Sequence, residues 1–238
     1  MYNLFSMNSH HFWSVSDNTD MLWSILRWEP VWDKSVSPLC YSFPIIRGKE
    51  IVFHSPTDRN ILLPSELPGI ERVQCAKLLG VWLQADMGMK KHVEYIVHIC
   101  NQRTYLVTQL KRHGLPPAQL QNVFDTIILA RVLYALPAWR GYMNASDINI
   151  LQQLFLKAQR WQLTTTKYDV TKLFENCDVA LFKSSININH CLRHLYPEKR
   201  QHVHSMTLRS RGHNFMLPKC RLQSTRNSFI NRVLFVFL

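Results

Sequence analysis

The segment that most restricts the fold of this chain runs from Lys77 to Gly114, KLLGVWLQADMGMKKHVEYIVHICNQRTYLVTQLKRHG, where one hydrophobic period gives way to another. Leu79, Val81 and Leu83 alternate as they do in a strand, and Ile70, Val73 and Cys75 suggest another short strand just upstream. From Lys90 the period becomes helical: Val93, Ile96, Val97, Cys100, Thr104, Val107 and Leu110 share one stripe. Lys111 and Arg112 complement the negative end of the helix dipole, and Gly114 supplies the stop. A short strand pair feeding a long amphipathic helix is therefore expected.

The same reading extends downstream. Leu120, Val123, Phe124, Ile127, Ile128 and Tyr134 predict a second helix ended by Pro137. Asn144 or Ser146 can cap a third, with an inner face of Leu151, Leu154, Phe155, Ala158 and Trp161. A short helical piece over Thr171–Asn176 and another over Asp178–Leu195 complete the middle of the chain. KEIVF at Lys49–Phe53 is a further strand candidate. The expected class is mainly α with a small antiparallel β part, and four segments follow. Residues 1–44 carry four of the seven tryptophans without sustained periodicity and are left unassigned. Residues 45–85 hold the strands and 86–196 the helix bundle. Residues 197–238 form a basic C-terminal segment ending in SFINRVLFVFL, which can dock on the bundle or pair as a strand.

Charge points to a partner. The chain carries 28 Lys and Arg against 16 Asp and Glu, a net +12. Residues 1–60 hold 5 and 6 of these, so residues 61–238 hold 23 and 10. A basic surface of this kind gains sequence-independent affinity for a polyanion by releasing condensed counterions, which makes nucleic acid the expected partner. The six cysteines are scattered with no tight pairing, as expected of buried, reduced thiols. The first residues, MYNLFSMNSHHFWSV, do not read as a secretory leader, and VFDTIILARVLYALPAW is interrupted by Asp125, Arg131 and Pro137. No membrane partner is expected, and the location expected is intracellular, nucleus or cytoplasm.

Catalytic patterns are sparse. Cys177, His190 and His194 have the C-x12-H-x3-H spacing of part of a zinc finger, but the partner cysteine two to four residues before Cys177 is missing. His190 and His194 lie four apart on the helix expected over Asp178–Leu195, but HCLRH has no glutamate to act as a general base. There is no G-x-S-x-G and no glycine-rich phosphate loop. The acidic pair Asp17 and Asp20, with Asp33 further on, lacks the strand context that two-metal phosphoryl chemistry needs, and reads as a solvated loop.

Taken together, GKEIVF, LPGIERVQCAKLLGVWL, HVEYIVHICNQRTYLVTQLKRHGLP, RVLYALPAW, INHCLRHLYP, LRSRGHNFMLP and SFINRVLF resemble, in order and spacing, the C-terminal part of the reverse transcriptase of non-LTR retrotransposons of the LINE or jockey type. The resemblance covers residues 45–238. It implies a palm edge and primer grip in 45–85, a thumb in 86–196 and a basic C-terminal region after that. GKEIVF corresponds to the end of the palm motif N-x-x-K-x-K-E, with Arg47 at the first lysine, Lys49 at the second and Pro44 where the asparagine stands. LLGVWL resembles the primer-grip hairpin, centred on Leu79, Gly80 and Val81.

The implied partners are an RNA template and a DNA primer, with no small-molecule substrate. The residues expected to contact nucleic acid are Arg47, Lys49, Lys90, Lys91, Arg103, Lys111, Arg112, Arg209 and Arg211, with His213 beside the last two. The family holds Mg2+ on an early palm aspartate and a YADD-like pair. Neither motif occurs in this sequence, so no catalytic residue and no cofactor is expected in this chain, and no polymerase activity from it alone. Two further readings stand beside this one: a non-catalytic RNA- or DNA-binding module derived from the thumb, and a functionless relic of an element.

Overall fold

A computed structural model describes residues 24–27 at the level of the backbone, 49–54, 63–66, 68–199 and 213–237. The chain divides into two compact units, Met1–Met87 and Gly88–Leu238. The first unit is built of short strands. β1 (Ser24–Arg27), β2 (Lys49–Phe53) and β3 (Glu71–Arg72) form a sheet in that order, with β1–β2 antiparallel and β2–β3 parallel. β1 lies in the stretch to which sequence periodicity assigns nothing, and the parallel pair makes this sheet mixed where an antiparallel one is expected.

Glu50, Ile51 and Val52 of β2 are all buried. Burying the Glu50 carboxylate would be costly unpaired. Arg72 meets it, with Nη2 donating to Glu50 Oε1 at 3.1 Å and Nη1 donating to the Pro64 carbonyl at 2.7 Å.

The second sheet is the expected antiparallel hairpin, β4 (Cys75–Leu78) and β5 (Val81–Gln84), with Leu78 opposite Val81. Its two-residue turn is Leu79–Gly80, with φ of 46° and 87°. Two left-handed residues make a turn of the I′ kind, whose twist matches that of the flanking strands. Glycine takes this conformation freely; Leu79 takes it at a cost and is 83% exposed.

The second unit is helical. α1 (Lys90–Arg112) buries Val93, Ile96, Cys100, Thr104 and Val107, most of the stripe read from the sequence, while Leu110 stays exposed. It ends in a Schellman motif: Leu115 N–H donates to the Leu110 carbonyl and Gly114 N–H, at φ 83°, to that of Lys111. α2 (Pro117–Phe124) starts with proline in its first turn, where no amide is missed. It runs through a π-helical turn at Asp125–Leu129 into α3 (Ala130–Leu133).

Wider turns of this kind leave carbonyls short of intrahelical donors. Here Arg103 of α1 donates from Nη1 to the Ile127 carbonyl, and the Cys100 thiol faces that of Ile128 at 4.0 Å. The chain then leaves the helix at Ala135, φ 51°, before Pro137, which sits in the first turn of α4 (Leu136–Trp139). The break therefore falls before the proline that the sequence marks as its cause. Trp139 is buried, its Nε1 donating to the Tyr134 carbonyl at 3.0 Å and its ring packed edge-on to His92.

α5 (Ala145–Arg160) opens with a capping box: Asn144 accepts from Asp147 N, and the Asp147 carboxylate accepts from Asn144 N. Its buried face is Leu151, Leu154, Phe155 and Ala158; Trp161, expected on that face, is the C-cap and is 47% exposed. α6 (Val170–Ser185), capped by Asp169, is one helix where two pieces are expected, because Asp178 points inward and continues it. Residues 186–196 carry only a 3-10 turn at Arg193–Leu195, so His190 and His194 do not share a helix face. α7 (Gln223–Asn227) and α8 (Phe229–Val236) close the chain. Val233 and Leu234 of α8 pack with Phe182, Tyr196 and Phe215, so the apolar ending docks on the helical unit as a helix.

Candidate nucleic-acid interface

α1 and α5 pack together and end side by side. Each has a basic last turn, Lys111 and Arg112 on α1, Lys157 and Arg160 on α5, as expected where carbonyls are left unpaired. The end of α5 is a second Schellman motif, with Leu163 N–H donating to the Ala158 carbonyl and Gln162 N–H to that of Gln159. The left-handed residue here is Gln162, φ 55°, in place of glycine. Its side chain has a use: Lys111 Nζ donates to Gln162 Oε1 at 3.1 Å and to the Trp161 carbonyl at 2.8 Å, which ties the two helix ends together.

Lys157 Nζ lies 4.6 Å from the centre of the Trp161 ring, a cation–π contact. Thr108, Lys111, Arg112 and Trp161 line an open groove of about 500 Å3 at this junction. Lys157 and Trp161 join the site although nothing in the sequence singles out Lys157. The available signal was a basic last turn followed by an aromatic C-cap.

The other expected contact residues are distributed more widely. Lys90 is exposed at the start of α1 and Lys91 is half-buried beside it. Both stand at the positive end of the helix dipole, where a cation is disfavoured. Arg103 is half-buried and committed to the Ile127 carbonyl, so it acts in the fold. Lys49 is exposed on β2 and pairs loosely with Glu71 at 3.9 Å. Leu79 and Gly80 form the hairpin tip and Val81 begins β5. His213 is internal: its Nδ1 accepts from Phe215 N at 3.2 Å, which leaves Nε2 as the donor to the Leu234 carbonyl at 2.7 Å. Arg47, Arg209 and Arg211 lie outside the described residues, as do Asp17, Asp20 and Asp33.

Charge follows the division into units. Gly88–Leu238 contains 21 Lys and Arg against 7 Asp and Glu, and Met1–Met87 contains 7 against 9. Four of the seven acids in the helical unit are held by internal bonds. Asp147 and Asp169 cap helices. Asp125 accepts from Tyr168 Oη and from Gln121 Nε2 at 2.9 Å. Asp178 is buried between Arg140, whose Nε lies at 2.7 Å, and Arg232. Among the described residues no carboxylate pairs with Lys111, Arg112, Lys157 or Arg160, so no ion pair offsets the positive charge at the α1–α5 end.

Tyr168 has its pKa raised, first by burial and then by the hydrogen bond and charge of Asp125. It packs on Phe124 and Phe155 and belongs to the core. Burial also pushes the Cys100 thiol up to about 11, against the pull of Arg103 and Arg131. Among the described residues no three His, Cys, Asp or Glu side chains gather in a way that could hold a metal ion. No described helix is long and apolar enough to cross a membrane. No family model, curated protein or solved structure matches this chain.

Proposed function

We propose that this chain is a non-catalytic nucleic-acid-binding segment of reverse-transcriptase origin, with the helical unit in the role of a thumb and the Leu79–Gly80 hairpin in that of a primer grip. The observation that carries the binding half is the segregation of charge: 21 basic against 7 acidic residues in the helical unit, with four of the acids engaged internally. Such a surface holds phosphates without reading bases. The ordered resemblance of residues 45–238 to non-LTR retrotransposon enzymes supports the origin, and the want of a YADD-like pair in the sequence supports the absence of synthesis.

Two measurements on the full chain test this reading. Titration of a labelled DNA duplex and a single strand at 50 and 200 mM salt should show affinity falling steeply, by about 10^3 or more if six phosphates are neutralised. Salt-independent affinity, or none, contradicts it. Primer extension on an RNA template with Mg2+ should give no product; measurable synthesis contradicts the non-catalytic half.

A further inference from the structure

We infer that the open groove at the joined ends of α1 and α5 takes a single unpaired nucleotide, its base stacked on Trp161 and its phosphate on Lys111 and Arg112. The inference rests on the nucleic-acid reading above and names what the site would hold. A volume of about 500 Å3 suits a ligand the size of a nucleotide. Its walls supply three kinds of contact. Trp161 is 47% exposed, whereas Trp139 in the same unit is 1% exposed. One face of the Trp161 ring carries the Lys157 ammonium, and a cation covers one face only. An aromatic ring beside cations is the usual platform for an unpaired base, since every base presents a π-face.

Lys111 spends two of its three N–H bonds on the Trp161 carbonyl and Gln162 Oε1. The third remains for an anion, and the side chain is already ordered, so little rotamer entropy is lost on binding. Arg112 is exposed and adds a forked guanidinium suited to phosphate oxygens. Thr108 donates its hydroxyl proton to the Thr104 carbonyl at 2.8 Å, which leaves its oxygen lone pairs to accept from a base amine. A duplex interior has both faces of each base occupied by its neighbours, so a single exposed ring selects the unpaired base. An acidic peptide would satisfy the cations and leave the ring unused.

The test uses the full chain and two fluorescein-labelled 12-nucleotide single strands of equal charge, one of mixed sequence and one abasic throughout. Trp161→Ala should weaken the base-bearing strand about tenfold and leave the abasic strand unchanged, and Trp161→Phe should retain most of the affinity. Equal loss on both strands, or no loss on either, overturns the stacking inference and leaves salt-dependent nucleic-acid binding standing. Displacement of the base-bearing strand by polyglutamate as readily as by its own unlabelled copy overturns it in favour of an acidic peptide. If wild-type protein binds neither strand with salt dependence, the nucleic-acid reading itself fails.

Discussion

Arg232 grips Asp178 with two arms, Nε to Oδ2 and Nη2 to Oδ1, each at 3.0 Å, and so fastens α8 to the middle of α6. The remaining arginine donors reach the Asn227 carbonyl at 2.7 Å and the Pro137 carbonyl at 2.9 Å. Arg140 donates to the same carboxylate, its Nη2 at 2.6 Å from Oδ2. One buried anion thus orders two cations, and removing it leaves both uncompensated. Asp178→Ala should cost about 3–5 kcal/mol in denaturant unfolding. Arg232→Met should cost less, because Arg140 still pairs with Asp178.

The same junction makes a second, steric prediction. A Cβ on Gly141 would lie 2.0 Å from the Asn227 carbonyl oxygen and 2.2 Å from Arg232 Nη1. Backbone cannot yield as a side-chain tip can, so Gly141→Ala must displace α7 and disturb the arginine. Its expected cost is about 1–3 kcal/mol or more, read as a lowered unfolding midpoint. A neutral result would mean that α7 does not pack against Gly141.

Gln162 holds a left-handed conformation that glycine adopts without strain. Gln162→Gly should therefore raise stability by about 0.5–1 kcal/mol, because the exposed bond from Lys111 that it forfeits is worth less than the strain it relieves. A loss of stability on this change would show that the Lys111 bond outweighs the backbone term.

Cys100 connects packing to pH. Its folded pKa lies near 11 against an ordinary 9.0, so the folded state retains the thiol proton where the unfolded chain gives it up. The stability this contributes is complete below pH 9 and is lost as pH rises toward 11, at up to about 1.4 kcal/mol per pH unit. The stability gap between wild type and Cys100→Ala should narrow across that interval in unfolding titrations. At pH 8, Ellman's reagent should modify the exposed Cys191 in the native protein and spare Cys100 until it unfolds.

Much of this architecture was legible in the residues. The α1 stripe, the Asn144 cap and the Gly114 stop each express a local rule, and local rules are what a sequence states directly; Leu79, by contrast, alternates with Val81 and Leu83 as a strand residue would, yet forms the hairpin turn with Gly80. What was hidden is tertiary. A π turn keeps Leu120, Phe124, Ile128 and Val132 buried at intervals of four, so periodicity does not reveal it. Asp178 looked like a helix boundary because its two arginine partners come from distant segments. Arg232 looked like tail charge for the same reason. At the site, Lys111 and Arg112 were readable as a basic helix end. Lys157 and the exposed ring of Trp161 became partners only when α1 and α5 were brought side by side.

If cations at this helix end hold phosphate, as proposed, the salt dependence of binding must change when they are removed. Measured with one single-stranded oligonucleotide across 50–200 mM salt, Lys111→Met and Arg112→Met should each reduce the slope of log affinity against log salt by about 1, and the double variant by about 2. A slope identical to wild type in all three variants would contradict the account, because the cations at the ends of α1 and α5 would then touch no phosphate.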